Sequence, residues 1–404
     1  MDRNTYLQTI WSPYPEMPAD CKVAGRIYRI ENLEDGSLKL TIQRDHQSHV
    51  ILFTIPPAYS QFLVEGDVVA VKSAMELILL APQKAPLPNR KYNVDVLNQW
   101  NHYLENLRGF FRAQSFIEVR TPSLVVCPGT EPSLDVFSTE LKVGSRKEKL
   151  FLPTSPELHL KKALALGAEK IFEVAPCFRN GEVTERHQPE FLMLEWYRAY
   201  DSLKSIKKDV VALIQYLAKQ MKVAPPRNIL SFSVAELFKI HCDFNLTPQT
   251  SKEDLKALAE KMDVDVRSAE SIDDYFFLIF MENIESQLHG DDLVFVEKYP
   301  PYQAALARLT PDGWGDRFEV YWKGLELANA FHELNDPQVQ RLRSAEDLQK
   351  KAESGKEPIQ LDTEFFQCLD AGMPPSGGIA VGVERVFMAL TGQERIADLF
   401  LFPK

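Results

Sequence analysis

Between Phe318 and Leu334 the chain reads FEVYWKGLELANAFHEL, with three carboxylates, Glu319, Glu326 and Glu333, set among apolar and aromatic residues. Alternation on either side of Lys323-Gly324 predicts a β-hairpin. With Trp322 paired to Leu325, Tyr321 faces Glu326, and Glu319 lies two residues back on the same face. Two carboxylates on one sheet face repel unless a cation sits between them. A hard divalent ion such as Mg²⁺, already holding a nucleotide's phosphates, is the natural partner. The plainer reading is a solvated strand face, and only the rest of the sequence separates the two.

A second block with chemical potential spans residues 150–200. LFLPTSPELHLKKALALG reads as strand, turn and helix, opened at Ser155-Pro156 and closed at Gly167. IFEVAPCFRN and PEFLMLEWYRAY then read as two apolar strands joined by the charged loop GEVTERHQ. Arg179 ends the first strand, and Arg186 and His187 sit at the loop tip. A guanidinium grips phosphate or carboxylate oxygens in a fork that Lys cannot match, although a single strand Arg is more commonly a salt-bridge partner. A third block, GMPPSGGIAVGVERVFMALTG, reads as Gly-rich loop, strand and helix, with Arg385 opening the helix. Gly377, Gly378 and Gly382 would let a flat ligand approach the backbone. The P-loop and dinucleotide fingerprints are both missing, which disfavours those nucleotide folds.

The elements that must position these residues fit an ordinary globular protein. The chain has 404 residues, 45% hydrophobic and 25% charged, enough for one to three domains. A net charge of −11 argues against a broad nucleic-acid-binding surface, though not against a local basic groove. The five Cys are scattered without a CxxC, which fits a reducing cytoplasm and no zinc site. No signal peptide and no membrane span are expected: the N-terminus lacks a basic segment followed by an apolar one, and the longest apolar run, Tyr275 to Met281, is too short.

Residues 1–85 predict a reduced OB-like β-barrel with strands Val23–Ile30, Ser37–Gln43, Val50–Ile55, Asp67–Lys72 and Glu76–Leu80. Such barrels often bind oligonucleotides, yet residues 1–90 hold nine Lys or Arg against ten Asp or Glu. The middle strand also carries no aromatic on which a base could stack. Packing against the next domain is the alternative role. Residues 86–92 lie in a Pro-rich linker, and the remainder, 93–404, is expected to form the catalytic domain. It begins with an amphipathic helix marked by Leu97, Trp100, Leu104, Leu107 and Phe111, ending near Gln114. A strand, Phe116–Arg120, then stops at Thr121-Pro122; this pair suits either a subunit interface or an ordinary core. Residues 202–290 read as mainly helical, with helix starts at Leu203, at Thr250 with a capping box to Glu253, and at Ser271 with Asp274.

FRN-x6-H-x-PEF, G-x-ELAN-x-F-x-EL and A-x-G-x-ER (Ala380–Arg385), in this order, resemble motifs 2 and 3 of the class II aminoacyl-tRNA synthetases, with motif 1 in the segment that includes Pro122. The lysyl branch is the most similar. The resemblance covers residues 93–404 and, more weakly, the barrel. It implies an α+β fold, an antiparallel sheet flanked by helices, usually dimeric, that joins an amino acid to ATP as an aminoacyl adenylate and passes it to an acceptor. By resemblance, Arg179 bridges the amino acid carboxylate and the α-phosphate, and Arg385 holds the γ-phosphate end. Glu319 and Glu326 hold Mg²⁺, Arg186 and His187 clamp the triphosphate, and Glu182 and Gly382 complete the ATP set. Family enzymes have Glu directly after FRN, whereas this chain has Gly181 and then Glu182. For the amino acid, Glu195 and Glu333 match the pair that meets a side-chain ammonium, with Tyr197 beside them. Glu157 matches the α-amino contact, and Asn329, Phe331 and Ala380 line the pocket. Three Glu converging on one small ligand favour lysine or β-lysine over Asp or Asn.

The resemblance also requires a fold irregularity. Strict alternation puts Glu326 on one face and Asn329, Phe331 and Glu333 on the other. All four reach one site only if a bulge or kink interrupts the strand near Leu327–Asn329.

Two acceptors divide the lysyl branch. One type charges tRNA; a shorter paralogue attaches lysine or β-lysine to a lysine side chain of translation elongation factor P. LEWYR (Leu194–Arg198), ELAN-x-FHEL, YQAALA (Tyr302–Ala307) and Ala380 resemble the paralogue. The retained barrel, and Ala330 in place of a Gly common to both types, depart from it. A lysyl-tRNA synthetase and a non-catalytic regulatory paralogue are the alternatives. The latter should have lost Arg179, Glu319, Glu326 or Arg385, and all four are present.

Overall fold

The computed structural model describes residues 2–9, 20–44, 47–53, 60–73, 76–83, 94–304 and 306–400. They fall into two compact units, 1–99 and 100–404. The expected linker 86–92 and Ile55, the expected end of the third strand, lie outside the described residues.

The first unit holds helix α1 (Arg3–Thr9) and strands β1 (Val23–Asn32), β2 (Leu38–Arg44), β3 (Gln47–Phe53), β4 (Val68–Ser73) and β5 (Glu76–Ala81). The strands form one antiparallel sheet in the order β3-β2-β1-β4-β5. Alternate residues, among them Ile27, Leu38, Leu40, Ile42, Val69, Val71, Leu77 and Leu79, share one core. Gly36 takes a left-handed φ of 82° at the predicted turn between β1 and β2. Asp67 is fully buried and takes two charge-assisted bonds from Arg3, at 2.9 and 2.6 Å.

The second unit opens with α2 (Val94–Ala113), which starts before the division, and β6 (Ile117–Glu118). The hairpin β7 (Ser138–Val143) and β8 (Arg146–Phe151) follows. Then come α3 (Glu157–Ala165), β9 (Lys170–Phe178), β10 (Glu190–Ala199) and α4 (Leu203–Met221). Next are β11 (Ile229–Ser233), α5 (Val234–Cys242), α6 (Lys252–Lys261), α7 (Ile272–Ile279) and β12 (Leu293–Tyr299). The hairpin β13 (Gly315–Trp322) and β14 (Leu325–His332) leads to α8 (Pro337–Glu353), α9 (Thr363–Gly372), β15 (Ser376–Gly382) and α10 (Val383–Thr391).

Eight strands make one sheet in the order β11-β12-β13-β14-β15-β10-β9-β6. Its six central strands are antiparallel; the edge strands β11 and β6 run parallel to their neighbours, so the sheet is mixed. The stretch 202–290 is therefore not wholly helical: Ile229–Ser233 is an edge strand whose last residue caps α5.

One face of the sheet carries Trp196, Ile379, Ala330 and Val320, and α4 and α10 pack on it. There Trp196 and Phe172 meet the Phe111 ring of α2 at centroid distances of 5.0 and 4.8 Å. The other face carries the polar residues of the second and third blocks.

The hairpin β13–β14 has the predicted pairing, Tyr321 with Glu326 and Trp322 with Leu325. It also has the predicted bulge. Val320 pairs with Ala328, leaving Leu327 as the extra residue. Leu327 and Ala328 are both buried, and from Asn329 onward the alternation is inverted.

One cap differs from expectation. The capping box of α6 belongs to Ser251 and Asp254, not to Thr250 and Glu253. The Thr250 hydroxyl instead accepts from the Thr247 N–H at 2.9 Å, inside the preceding turn. The Ser271–Asp274 box on α7 is present. Ser251→Ala should cost about 1 kcal/mol of stability, measured by denaturant unfolding.

Candidate functional site

Strand pairing brings the polar residues into two rungs across four strands. In the first, Glu195 of β10 pairs with Ala380 of β15, Ala380 with Asn329 of β14, and Asn329 with Glu319 of β13. In the second, Tyr197 pairs with Gly378, Gly378 with Phe331, and Phe331 with Arg317. Directly paired residues point the same way, so these side chains share the face opposite the Trp196 core. Glu326 joins them through its pairing with Tyr321, which works only because the bulge at Leu327 intervenes.

A cleft of roughly 590 Å³ opens over this face. Twelve predicted site residues line it: Glu157, Arg179, Glu182, Arg186, His187, Glu195, Glu326, Asn329, Phe331, Ala380, Gly382 and Arg385. Glu319, Tyr197 and Glu333 stand one layer behind the wall. No predicted site residue lies elsewhere.

At one end the cleft is cationic. Arg179 lies over the Phe191 ring, 5.2 Å from its centroid, and Glu182 approaches it at 3.8 Å. Arg179 Nε is buried without a partner. Arg186 donates to the Gly324 carbonyl at 2.8 Å, pinning the loop 179–190 to the β13–β14 turn. Arg385 donates to the Glu326 carbonyl at 2.8 Å and contacts His187 Nε2 at 2.5 Å. Burial and then Arg385 push the His187 imidazole down, so it stays neutral and accepts. Glu384, at the start of α10, accepts from the Leu192 N–H at 2.9 Å, which docks the helix that carries Arg385.

Next to this end lie the carboxylates read as metal ligands. Burial and the charge of Glu319 push the Glu326 carboxyl up to about 7. Glu285, not singled out in the sequence, is raised by burial and by the same Glu319. Glu319 itself accepts from the Tyr321 hydroxyl at 2.7 Å, from the Tyr299 hydroxyl, and from Arg317. Among the described residues no group of three or more His, Cys, Asp or Glu could hold a metal by itself. The donor set present is Glu326, whose carboxylate has Arg385 at 3.6 Å, the firmly held carboxylate of Glu319, and Asn329 Oδ1, buried without a partner. It fits a Mg²⁺ that takes most of its ligands from phosphate and water.

At the other end the cleft narrows into a carboxylate pocket. Glu195 is 1% exposed; its Oε2 accepts from the Tyr197 hydroxyl at 2.8 Å, and its Oε1 is buried without a partner. Burial and then Glu157 hold this carboxyl well above the usual range. Burial drives Glu333 up to about 7, against the pull of Lys161. Lys161, fully buried on α3, ion-pairs with Glu157 at 2.5 Å and Glu333 at 2.6 Å. It was missed in the sequence, although Glu157 and Lys161 form an i,i+4 pair on a predicted helix. Glu131, also missed, turns a buried Oε2 without a partner toward the same region.

Residues 87–404 match the family tRNA synthetases class II (D, K and N). The chain belongs to this family. Among its relatives is the elongation factor P–(R)-β-lysine ligase of Klebsiella pneumoniae (strain 342), 35% identical over 326 residues, spanning 79% of this chain and 95% of the relative. The ligases of the same name from Haemophilus influenzae (strain PittGG) and Proteus mirabilis (strain HI4320) are 36% and 35% identical over 304 and 307 residues. Each alignment spans 74% of this chain and 92% of the relative.

Two sequence readings within this synthetase-family site change. Gly377 and Gly378 do not open space for a ligand. A Cβ at Gly377 would meet Ile206 and the Ser202 backbone, and one at Gly378 would run into Glu333 Oε1 and the Tyr197 ring. Of the three glycines only Gly382 lines the cleft. Ala330 pairs with Ile379 on the Trp196 face and is fully buried there, so its methyl does not enter the pocket. Gly378→Ala should destabilise the protein by about 1–3 kcal/mol through overpacking, seen as a lower denaturant midpoint.

Proposed function

We propose that this protein is an ATP-dependent ligase that activates (R)-β-lysine, or lysine, as an aminoacyl adenylate and transfers it to a lysine side chain of elongation factor P. The observation that carries the reading is the carboxylate pocket of Glu157, Glu195 and Glu333 at the foot of a cleft whose other end holds Arg179 and Arg385. A dicationic amino acid suits one end and a triphosphate the other. The names of the relatives supply the acceptor and the isomer.

In this reading the amino acid carboxylate attacks the α-phosphorus and pyrophosphate leaves. Both reactants are anions, so the role of Arg179 is to lie between them and hold the charge that develops. Arg385, Arg186 and His187 hold the triphosphate tail. Mg²⁺, held by Glu326 with Glu319 and the phosphates, supplies further charge neutralisation when bound. Glu157 takes the backbone amine, and Glu195 with Glu333 takes the side-chain ammonium. Ala380 sits on the rung between Glu195 and Asn329, where its methyl narrows the pocket and favours a displaced amino group. In the second step the acceptor amine attacks the adenylate carbonyl, the bond to AMP breaks, and the amine gives up a proton.

The remaining expectations belong to the same proposal. Dimerisation through motif 1 is supported by the exposed Ile117, Leu124 and Val126 around Pro122. Cytoplasmic residence is supported by Cys21, Cys127, Cys177, Cys242 and Cys368, all free thiols. No helix among the described residues is long and apolar enough to cross a membrane.

The deciding assay offers the full chain, ATP and labelled lysine or (R)-β-lysine to elongation factor P and to tRNA in parallel. Label should enter elongation factor P, with little on tRNA. Efficient, salt-sensitive charging of tRNA with no label in elongation factor P would overturn the acceptor and leave a lysyl-tRNA synthetase. Arg179→Ala should lose about 3–4 kcal/mol of transition-state stabilisation, read as collapse of ATP–pyrophosphate exchange. The pH dependence follows from Glu333, whose carboxyl lies near 7. Below that pH it gains a proton and stops attracting an ammonium, so the amino acid KM should rise as the pH falls, with the ATP KM nearly unchanged.

A further inference from the structure

Lys161 is a charged group of the pocket to which the substrate reading gives no contact. It stands one helical turn beyond Glu157 on α3 and is 1% exposed, although lysines are almost never fully buried unless paired. Its ammonium lies 2.5 Å from Glu157 and 2.6 Å from Glu333, two carboxylates contributed by different elements. Such a pair is a poor device for stability, because apolar side chains of similar volume do as well or better. Its place between two substrate carboxylates points to another use.

Charge counting gives that use. With the ligand's ammonium groups in place and all three acids as carboxylates, Glu157, Glu195 and Glu333 bring three negative charges and Lys161 one positive, leaving two. Lysine and β-lysine bring two ammonium groups, while their carboxylate faces Arg179. Without Lys161 the pocket would hold one negative charge more than the ligand can neutralise. Glu131, nearby, has Arg179 and Lys351 as its offsetting cations.

We propose that Lys161 is a positioning residue, an internal ammonium that bridges Glu157 and Glu333 and holds both side chains in place so that the pocket matches an amino acid with two ammonium groups. The inference rests on the substrate reading above and deepens it. The groups facing Lys161 are Glu157 from α3, Glu333 beyond β14, and Glu195 from β10, which itself carries the Tyr197 hydroxyl. Burial alone would lower the ammonium, but Glu157 and Glu333 outweigh it and raise it, so it keeps its proton. In return it draws down the carboxyls of Glu333 and Glu195. Remove it, and these carboxyls rise further; the empty pocket then holds more proton at neutral pH, which the ligand must expel.

The test compares the full-length wild type with Lys161→Met, Lys161→Gln and Lys161→Arg. ATP–pyrophosphate exchange is measured against lysine and β-lysine from about pH 7 to about pH 9, the range in which the raised carboxyls titrate. Proton release on amino acid binding is measured by calorimetry in two buffers of different ionisation heat. In the Met and Gln variants the amino acid KM near neutral pH should rise about thirtyfold or more, the scale of breaking a buried charge pair. The ATP KM should hold. The deficit should shrink toward the alkaline end, and about one more proton should be released per amino acid bound than in wild type. Lys161→Arg should recover most of the loss. If the Met variant fails to fold, Lys161→Gln, which keeps a donor without the charge, carries the test. An unchanged amino acid KM, or a deficit equal at every pH with no extra proton, would overturn the proposal and leave Lys161 a structural residue. Wild-type exchange with neither amino acid would instead overturn the substrate reading, and this inference with it.

Discussion

A strand that alternates strictly cannot put Glu326, Asn329 and Phe331 over one cleft, because the separation from Glu326 to Asn329 is odd. The fold meets this constraint with one extra residue, Leu327, bulged between Val320 and Tyr321 of the facing strand. Everything else in the site depends on that inversion. Before it, Glu326 shares a face with Glu319 through Tyr321. After it, Asn329 pairs with Glu319 directly, and the same rung runs on to Ala380 and Glu195. The bulge is stabilised from the other side: Leu327 is 2% exposed and Ala328 4%, so two successive side chains enter the core where alternation allows one.

With geometry settled by the ladder, the two ends of the cleft differ by electrostatics. Each gathers like charges that would repel, and each uses neighbouring groups to limit the penalty. At the cationic end, His187 is neutral and Arg385 is also held by the Glu326 carbonyl, so the guanidinium is aimed without being fully neutralised. At the anionic end, a hydroxyl from Tyr197 and the ammonium of Lys161 partly satisfy the carboxylates and leave Glu195 Oε1 open. Among the described residues several buried polar atoms lack partners, Glu173 Oε2 and the Tyr302 hydroxyl away from the site among them, but Glu131 Oε2, Arg179 Nε, Asn329 Oδ1 and Glu195 Oε1 all belong to residues that line the same cleft. Buried polar atoms without partners are expensive, and their concentration over one cavity is what a site awaiting a charged ligand requires.

The fold and the site were legible in the sequence to different depths, for physical reasons. Local signals sufficed where they were strong. The alternation around Lys323-Gly324, the helix Leu203–Met221 and the Ser271–Asp274 cap are set by neighbours in the chain. The bulge was legible only because four residues had to meet at one site; no local pattern marks Leu327. The strand Ile229–Ser233 was hidden because its five residues gain their partner from β12, some sixty residues on, rather than from local pattern. Lys161 was hidden for a similar reason. Glu157 at i−4 could be read from the sequence, but Glu333 comes from a distant part of the chain, and only the pair turns a surface-type residue into a buried one.

The glycines of β15 show how a correct placement can carry the wrong cause. Gly377 and Gly378 lie in the expected strand, beside the expected pocket, and the sequence alone reads them as room for a ligand. The room is taken by the protein itself. Opposite Gly377 the Ser202 turn and Ile206 of α4 press against the sheet. Opposite Gly378, on the site face, Tyr197 and Glu333 lean across the rung between β10 and β14. A side chain at either position would push one of these away. The missing Cβ at Gly378 therefore shapes the pocket indirectly: it lets Glu333 and the ring beside Glu195 converge, and so sets how closely the two carboxyl groups approach. The pocket is built from the backbone outward, with the rung spacing fixing the strands, the glycine fixing the approach of the acids, and the acids fixing the charge of its wall.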